Sequence, residues 1–294
     1  GMGSDFYEKF ESVKEIFKTV DETLGFSLSK IILQGPDEEL KLTQNTQPAI
    51  MTIGVSLFNV LKETQELDLN NSKFFAGHSL GEYTALVCAG SLTLEKAAYL
   101  LHERGKSMQN AVAPGQGAMI AILGMNISEV ENEINLLPRD EICEIANDNT
   151  NGQVVVSGKK NIIEILSQNL KTKKKRGIFL PVSAPFHCSL MNKAAEYMKG
   201  KIESTNFLKP MPNIISNVTA KEESDVNKIK TLLIDQITSR VRWRESVNYM
   251  IKKGVTNFLE IGPGKVLSGL VKKIDKEAKV SNINFLSDIK NDKF

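Results

Sequence analysis

The spacing of apolar residues predicts several helices in the first third of the chain. In residues 6–24 and 46–67 apolar side chains recur every three or four positions, which indicates helices, the second with Pro48 near its first turn. Residues 73–76 form a short apolar run typical of a strand, and residues 83–89 predict a buried helix that ends at Gly90. A further helix is predicted over residues 93–113, before a Pro-Gly-Gln-Gly turn.

In the middle of the chain the predicted strands and helices are shorter and follow one another closely. Strands and helices are predicted there in the order β-α-β-β-α-β, over residues 118–123, 128–136, 142–146, 154–156, 161–170 and 178–182. This order is that of a ferredoxin-like subdomain, which we place at residues 116–183. Strands and helices alternate again from residue 184 onwards, with strands at 213–218 and 257–261.

These elements predict an α/β fold with two parts. A hydrolase-like core, with a mainly parallel sheet covered by helices, is expected over residues 1–115 and 184–294. The ferredoxin-like subdomain is inserted between these two segments. In such a core, ligands bind at the carboxyl ends of the strands.

Residues 77–81 have the sequence Gly-His-Ser-Leu-Gly and match the Gly-x-Ser-x-Gly nucleophile elbow. The predicted strand before them and the predicted helix after them are what this turn requires. We expect both glycines to be needed, because a Cβ at either position would collide with the neighbouring backbone. The amide groups at the helix amino terminus favour negative charge on an attacked carbonyl. Ser79 is therefore the candidate nucleophile, and the Leu80 amide is a candidate oxyanion donor.

A serine nucleophile needs a base, and the chain contains only three histidines. His78 adjoins the serine inside the elbow and is expected to support the turn. His102 lies in a charged helical segment and is expected at the surface. His187 follows the last predicted strand of the subdomain in a loop with two prolines, where functional residues are common. We therefore predict that His187 is the base, with a structural role as the alternative.

The group that orients this base is left open by the residues alone. Asp140 and Asp148 lie between the serine and His187 in the chain, but both fall inside the inserted subdomain. An amide or a backbone carbonyl is the other option. A neutral partner would make the imidazole a milder base, which suits a thioester better than an amide.

Composition excludes several other classes. The chain has 294 residues, is 41% hydrophobic and carries a net charge of +2, so neither nucleic-acid binding nor a membrane role is expected. Its most apolar helical stretch, residues 48–61, is too short to span a bilayer. Three cysteines without metal-ligand spacing indicate a reduced intracellular compartment and no metal site. We also expect no signal peptide at the amino terminus.

Four motifs together make the chain resemble the malonyl-CoA:acyl carrier protein transacylases of dissociated fatty acid synthesis. They occur in the family's order at residues 77–82, 104–109, 182–187 and 260–267. The resemblance implies a ping-pong transfer without a cofactor. Malonyl passes from coenzyme A to Ser79 and then to the phosphopantetheine thiol of acyl carrier protein. It also implies a monomer, in a bacterial-type cytoplasm or a plastid matrix.

The resemblance assigns roles to individual residues. The backbone carbonyl of Gln236 would orient His187, and Arg104 would pair with the malonyl carboxylate, which a guanidinium can bind through two hydrogen bonds. Phe186 would leave little room for an α-methyl group. The remaining candidates for substrate binding are Met108, Asn147 and Asn149. On the residues alone, Arg104 could instead pair with Glu103 at the surface, Phe186 could be core, and the asparagines could serve turns.

One family feature is missing from the sequence. The second oxyanion donor of the family is a glutamine in a Phe-Pro-Gly-Gln-Gly stretch, which does not occur here. The resemblance predicts that the sequence begins just after that stretch and its strand. Alternatives to the transacylase are a polyketide acyltransferase, a serine thioesterase or esterase with water as acceptor, and a non-catalytic carrier-binding module.

Overall fold

The helices and strands largely follow the apolar spacing of the sequence, in a computed structural model that describes residues 1–64, 71–182 and 184–290. The α-helices are α1 (Ser4–Lys9), α2 (Glu11–Leu24), α3 (Leu28–Gln34), α4 (Asp37–Lys41), α5 (Thr43–Glu63), α6 (Gly81–Cys88), α7 (Leu94–Asn110), α8 (Ile127–Ile134), α9 (Lys160–Thr172), α10 (Asn192–Ser204), α11 (Val226–Gln236), α12 (Trp243–Lys252) and α13 (Val266–Ile274). The strands are β1 (Phe74–Ala76), β2 (Gly117–Leu123), β3 (Cys143–Thr150), β4 (Gln153–Lys159), β5 (Arg176–Phe179), β6 (Asn213–Ile215), β7 (Glu222–Glu223), β8 (Asn257–Ile261) and β9 (Lys279–Ile283). The predicted mixed α/β class is confirmed.

Two predicted helices in the first third differ in detail. The helix expected over residues 6–24 is two helices, because Phe10 adopts an extended backbone conformation between α1 and α2. The helix expected over residues 46–67 begins earlier, at Thr43, so Pro48 lies inside α5. The end of that prediction, residues 65–67, falls outside the described residues.

The first and last thirds of the chain share one large apolar cluster, built mainly from helices. Two short sheets accompany it, in which β1 pairs parallel with β6, β6 pairs antiparallel with β7, and β8 pairs parallel with β9. Helices α5 and α7 pack closely, and a Cβ on Gly105 would lie 2.5 Å from the carbonyl oxygen of Thr43. Glycine is therefore required there, beside Arg104 on the same helix.

The middle third forms a separate four-stranded sheet, in which neighbouring strands run antiparallel in the order β3-β4-β2-β5. Alternate residues of β2 and β4 point to opposite faces. One face packs with α8 and α9 through a cluster that includes Ile120, Ile122, Val154 and Val156. The opposite face carries Met119, Ala121 and Val155, and Phe186 packs against it from the loop after β5.

Strand β3 joins this sheet to the rest of the molecule. The Asp148 N–H donates to the Val241 carbonyl at 2.9 Å, and the Val241 N–H donates to the Ala146 carbonyl at 2.8 Å. Asp148 is fully buried and accepts two hydrogen bonds from the guanidinium of Arg244 just after α12 begins. Within the described ranges, no helix combines the length and apolarity needed to cross a membrane.

Candidate active site

The elbow places Ser79 between the end of β1 and the start of α6, with a left-handed backbone at φ 54°. A non-glycine residue rarely adopts this conformation, and functional turns are where it concentrates. A Cβ on Gly77 would lie 1.9 Å from the Gly81 carbonyl oxygen, so glycine is obligatory at that position. A Cβ on Gly81 would meet no atom within 4 Å, so the expectation that both glycines are needed was wrong for Gly81.

His187 lies against the serine. The Ser79 Oγ is 2.8 Å from His187 Nε2, and His187 Nδ1 is 2.9 Å from the Gln236 carbonyl oxygen. Because a carbonyl can only accept, Nδ1 carries the proton and Nε2 is left to accept one from the serine hydroxyl. Asp148 pairs with Arg244 instead of with the imidazole. The partner of His187 is therefore a neutral carbonyl.

The surroundings keep His187 uncharged. Its side chain is buried, and burial together with the nearby charge of Arg104 lowers the pKa of His187 to about 3. The imidazole is thus neutral near pH 7 and available as a proton acceptor. Its backbone is also left-handed, at φ 58°, so both partners of the 2.8 Å contact occupy unusual backbone conformations.

Arg104 is the largest fully buried side chain among the described residues, with 1% of its surface exposed. Its Nη1 donates to Gln47 Oε1 at 2.6 Å, and its Nη2 donates to Gln236 Oε1 at 2.8 Å and to Ser79 Oγ at 3.1 Å. All three acceptors are neutral, and its Nε has no hydrogen-bond partner within the part of the chain that the structure describes. The alternative of a surface pair with Glu103 is wrong, because Glu103 pairs with a lysine instead. A buried cation with no carboxylate within ion-pair distance among the described residues is suited to a ligand that brings one.

Three buried polar residues at the site were not predicted as functional. Gln47 holds Arg104. Asn217 accepts from the Ser79 N–H through Oδ1 at 2.7 Å and donates through Nδ2 to the Gly77 carbonyl at 2.8 Å. Glu82, directly after the elbow, accepts from Gln236 Nε2 and from the Asn217 N–H. The signal for Gln47 is an amide directly before the apolar run of α5, and the signal for Glu82 is an acid beside the elbow.

The other sequence candidates surround this centre. Met108 is buried, with its sulfur 4.0 Å from Gln47 Nε2. Asn147 is buried on β3, at the bridge to Val241. The described hydrogen bonds leave the Leu80 amide N–H without an acceptor. Phe186 is half-buried beside His187.

His78 and Asn149 connect the two parts of the molecule at the site. His78 Nε2 donates to Asn149 Oδ1 at 2.9 Å, and the His78 ring packs 5.7 Å from that of Trp243. His78 is therefore bonded to β3 and not to Ser79 Oγ, which makes His187 the better candidate for the base, while its support of the turn stays a prediction. His102 is half-buried, with Nδ1 3.0 Å from the Gln44 carbonyl. Within the described ranges, no group of three or more potential metal ligands is placed to hold an ion.

A serine on an elbow with a neutral imidazole within hydrogen-bond distance is suited to serine-mediated acyl transfer. A buried arginine beside that serine is suited to an acyl group that carries negative charge. The comparison with known families agrees with this class. The chain belongs to the acyl transferase domain family, whose pattern matches residues 1–293.

Individual relatives are similar over nearly their whole length. The malonyl CoA-acyl carrier protein transacylase of Bacillus subtilis is 43% identical, over 95% of this chain and 87% of the relative. The acyl-carrier-protein S-malonyltransferase of Bartonella henselae has a crystal structure with a TM-score of 0.95 at 41% identity, covering 99% of this chain and 93% of that one. A malonyl-transacylase in complex with its type II polyketide acyl-carrier protein has a TM-score of 0.95 at 36% identity, covering 99% and 93%.

Proposed function

We propose that this protein transfers malonyl from malonyl-CoA to the phosphopantetheine thiol of acyl carrier protein, for fatty acid synthesis. The observation that carries the proposal is the convergence on Ser79 Oγ of His187 Nε2 at 2.8 Å and Arg104 Nη2 at 3.1 Å. One oxygen thus has a proton acceptor and a buried cation beside it. The names and near-complete coverage of the relatives support the same reaction.

The reaction proceeds in two similar halves. As Ser79 Oγ attacks the thioester carbonyl, His187 Nε2 takes the hydroxyl proton, and the carbonyl oxygen gains negative charge beside the Leu80 N–H. The C–S bond then breaks, and the coenzyme A thiolate leaves with the proton from His187. In the second half, His187 takes the proton of the carrier thiol, whose sulfur attacks the malonyl ester. The C–O bond breaks, and the serine recovers the proton.

Gln236 connects the base to the rest of the site. Its carbonyl fixes the proton of His187 on Nδ1, while its side-chain oxygen accepts from Arg104. A carbonyl stabilises an imidazolium less than a carboxylate does, so His187 acts as a mild base. A mild base suffices for exchange between thioester and ester, whose leaving groups are better than an amine.

Arg104 selects for the free carboxylate of malonyl. A carboxylate that reaches the guanidinium would form charge-assisted hydrogen bonds in a dry pocket. Phe186 would leave little room for an α-methyl branch, and Met108 would contribute to substrate binding. Asn147 and Asn149 would contribute from the β3 side, although Asn149 Oδ1 is already bonded to His78.

We also propose the division into a hydrolase-like core, residues 1–115 and 184–294, and a ferredoxin-like subdomain, residues 116–183. The antiparallel strand order β3-β4-β2-β5, with two helices on one face, supports the subdomain. Its separate apolar cluster supports the boundaries. The parallel pairs β1/β6 and β8/β9 support the core.

A discrete transacylase of polyketide synthesis is the second candidate, because a malonyl-transacylase solved with a polyketide carrier protein is also similar over 99% of this chain. It performs the same chemistry on another carrier. We propose an intracellular location in a bacterial-type cytoplasm, which the bacterial relatives and the three free cysteines support. A plastid matrix and a monomeric state stay predictions.

The decisive experiment is intact-protein mass spectrometry after brief incubation with malonyl-CoA. We expect a malonyl adduct on the wild type and none on Ser79→Ala. Adding carrier protein with its phosphopantetheine arm should clear the adduct and produce malonyl-carrier, while carrier without the arm should leave it unchanged. Release of free malonate without carrier would indicate a thioesterase. Carrier binding without any adduct would indicate a non-catalytic module.

A further inference from the structure

Glu82 is a buried carboxylate at the centre of the elbow with no part in the chemistry described above. It lies in the first turn of α6 and has 1% of its surface exposed. Its Oε2 accepts from Gln236 Nε2 at 2.8 Å and from the Asn217 N–H at 3.1 Å. Both partners touch Ser79, so this carboxylate lies directly behind the reacting groups.

The carboxylate determines which way the Gln236 amide faces. The amide nitrogen of Gln236 donates to Glu82 and also to the Ser79 carbonyl at 3.1 Å. An ionised carboxylate can only accept, so the nitrogen must face it and the amide oxygen must face the opposite way. That oxygen accepts from Arg104 Nη2 at 2.8 Å. With the amide reversed, oxygen would face carboxylate and nitrogen would face guanidinium, and both contacts would become repulsive.

Few neighbouring groups stabilise the ionised form of Glu82. Arg104 on α7 is the charged side chain that faces it, and Tyr83 is the titratable neighbour on its own helix. Gln236 on α11 and Asn217 after β6 contribute neutral amide groups. Burial outweighs these contacts and raises the pKa of Glu82 to about 7.

We propose that Glu82 is a positioning residue: its ionised carboxylate holds the Gln236 amide in one orientation and thereby presents Arg104 to the acyl carboxylate. The proposal rests on the proposed function, because it concerns the choice of malonyl over uncharged acyl groups. When Glu82 is protonated, its charge-assisted hydrogen bonds become neutral ones of roughly half the strength. The Gln236 oxygen that accepts from Arg104 is then held less firmly in place.

The test compares wild type with Glu82→Gln, which keeps an oxygen acceptor and removes the charge. Acylation of Ser79 is timed by mass spectrometry with malonyl and acetyl thioesters of N-acetylcysteamine, which carry no phosphate to titrate, from about pH 5.5 to about pH 9. Glu133→Gln is the matched control, because Glu133 is another buried glutamate, bonded to Lys173 in the middle third of the chain. Thermal melting of each variant checks that it is folded.

For the wild type we expect the malonyl rate to fall about tenfold as the pH drops through 7, while the acetyl rate changes much less. In Glu82→Gln the malonyl rate should be about tenfold lower at high pH and nearly independent of pH. Glu133→Gln should follow the wild type. The pKa of His187, near 3, leaves that group outside this range.

The proposal would be overturned by a Glu82→Gln variant whose malonyl rate still fell as the pH dropped through 7 and that kept the wild-type preference for malonyl. It would also be overturned by a wild type whose malonyl and acetyl rates share one pH profile, a result that does not depend on any variant folding. Failure of the proposed function has a different signature, because the wild type would then form no malonyl adduct at any pH.

Discussion

Replacing Arg104 by methionine tests the selection of a charged acyl group most directly. Methionine has similar length and fits an apolar site, but it brings neither charge nor donors. The change therefore removes the hydrogen bonds at 2.6, 2.8 and 3.1 Å while leaving the 2.8 Å contact between Ser79 and His187 in place. The malonyl acylation rate should therefore fall, while the acetyl acylation rate should not.

The expected size follows from burial. With Arg104 only 1% exposed, a malonyl carboxylate in the Arg104→Met site would be desolvated without a partner, which costs about 3–5 kcal/mol. This corresponds to a loss of about 10²-fold to about 4 × 10³-fold in the malonyl acylation rate. The acetyl rate should hold or rise a few-fold, because the positive charge that lowers the pKa of His187 is gone.

The assay is single-turnover acylation of Ser79 by each thioester, followed by intact mass, and the result is the ratio of the two rates. Arg176→Met is the matched control, because Arg176 is an exposed arginine on β5 and its loss should change neither rate. Equal losses for malonyl and acetyl in Arg104→Met would refute the reasoning, since they would show that the arginine supports the site as a whole.

Three further predictions concern the elbow, the base and the junction. In urea denaturation, Gly77→Ala should lose more than about 4 kcal/mol of stability or fail to fold, because a Cβ at Gly77 would lie 1.9 Å from the Gly81 carbonyl oxygen. Gly81→Ala should change stability by less than about 1 kcal/mol. Similar losses in the two variants would contradict this reasoning. The pKa of His187 is about 3 in the folded protein against 6.5 ordinarily, so the unfolded chain holds more protons between these values and stability falls as the pH drops through that window. At about pH 5 this loss amounts to about 2 kcal/mol, which His187→Gln should remove, and an unchanged slope of stability against pH would count against the reasoning. Asp148→Asn leaves Arg244, whose side chain is 20% exposed, with only the longer 3.9 Å contact to Glu245 as an ion pair among the described residues. It should cost about 2 kcal/mol in the same denaturation assay, with no effect expected if the Asp148 pair were only a surface contact.

Much of this site follows from local sequence. The elbow is a five-residue pattern between a strand and a helix, so Ser79 could be placed without any knowledge of the rest of the chain. With only three histidines, His187 could then be chosen by its loop. The β-α-β-β-α-β order of the middle third also needed only short-range periodicity, and its six elements occur in that order, although β3 continues to Thr150 and β5 already ends at Phe179.

The remaining features depend on partners far apart in the chain. Gln47 meets Arg104 across 57 positions, and Asn217 meets Ser79 across 138, so neither contact leaves a periodic trace. Whether an arginine on a charged helix is buried or exposed is likewise decided by packing against α5. The break at Phe10 and the freedom at Gly81 are consequences of backbone geometry that apolar spacing does not encode.

The attachments of strand β3 have a consequence for how substrates are received. The same strand is bonded to the rest of the protein at several points. Its backbone pairs with the N–H and carbonyl of Val241, and the side chains of Asp148 and Asn149 accept further hydrogen bonds. We therefore expect β3 to have the same conformation before and after a substrate binds. On the β3 side of the site, the conformational adjustment on binding should therefore come from the flexible chains of coenzyme A and the carrier arm, and not from the protein.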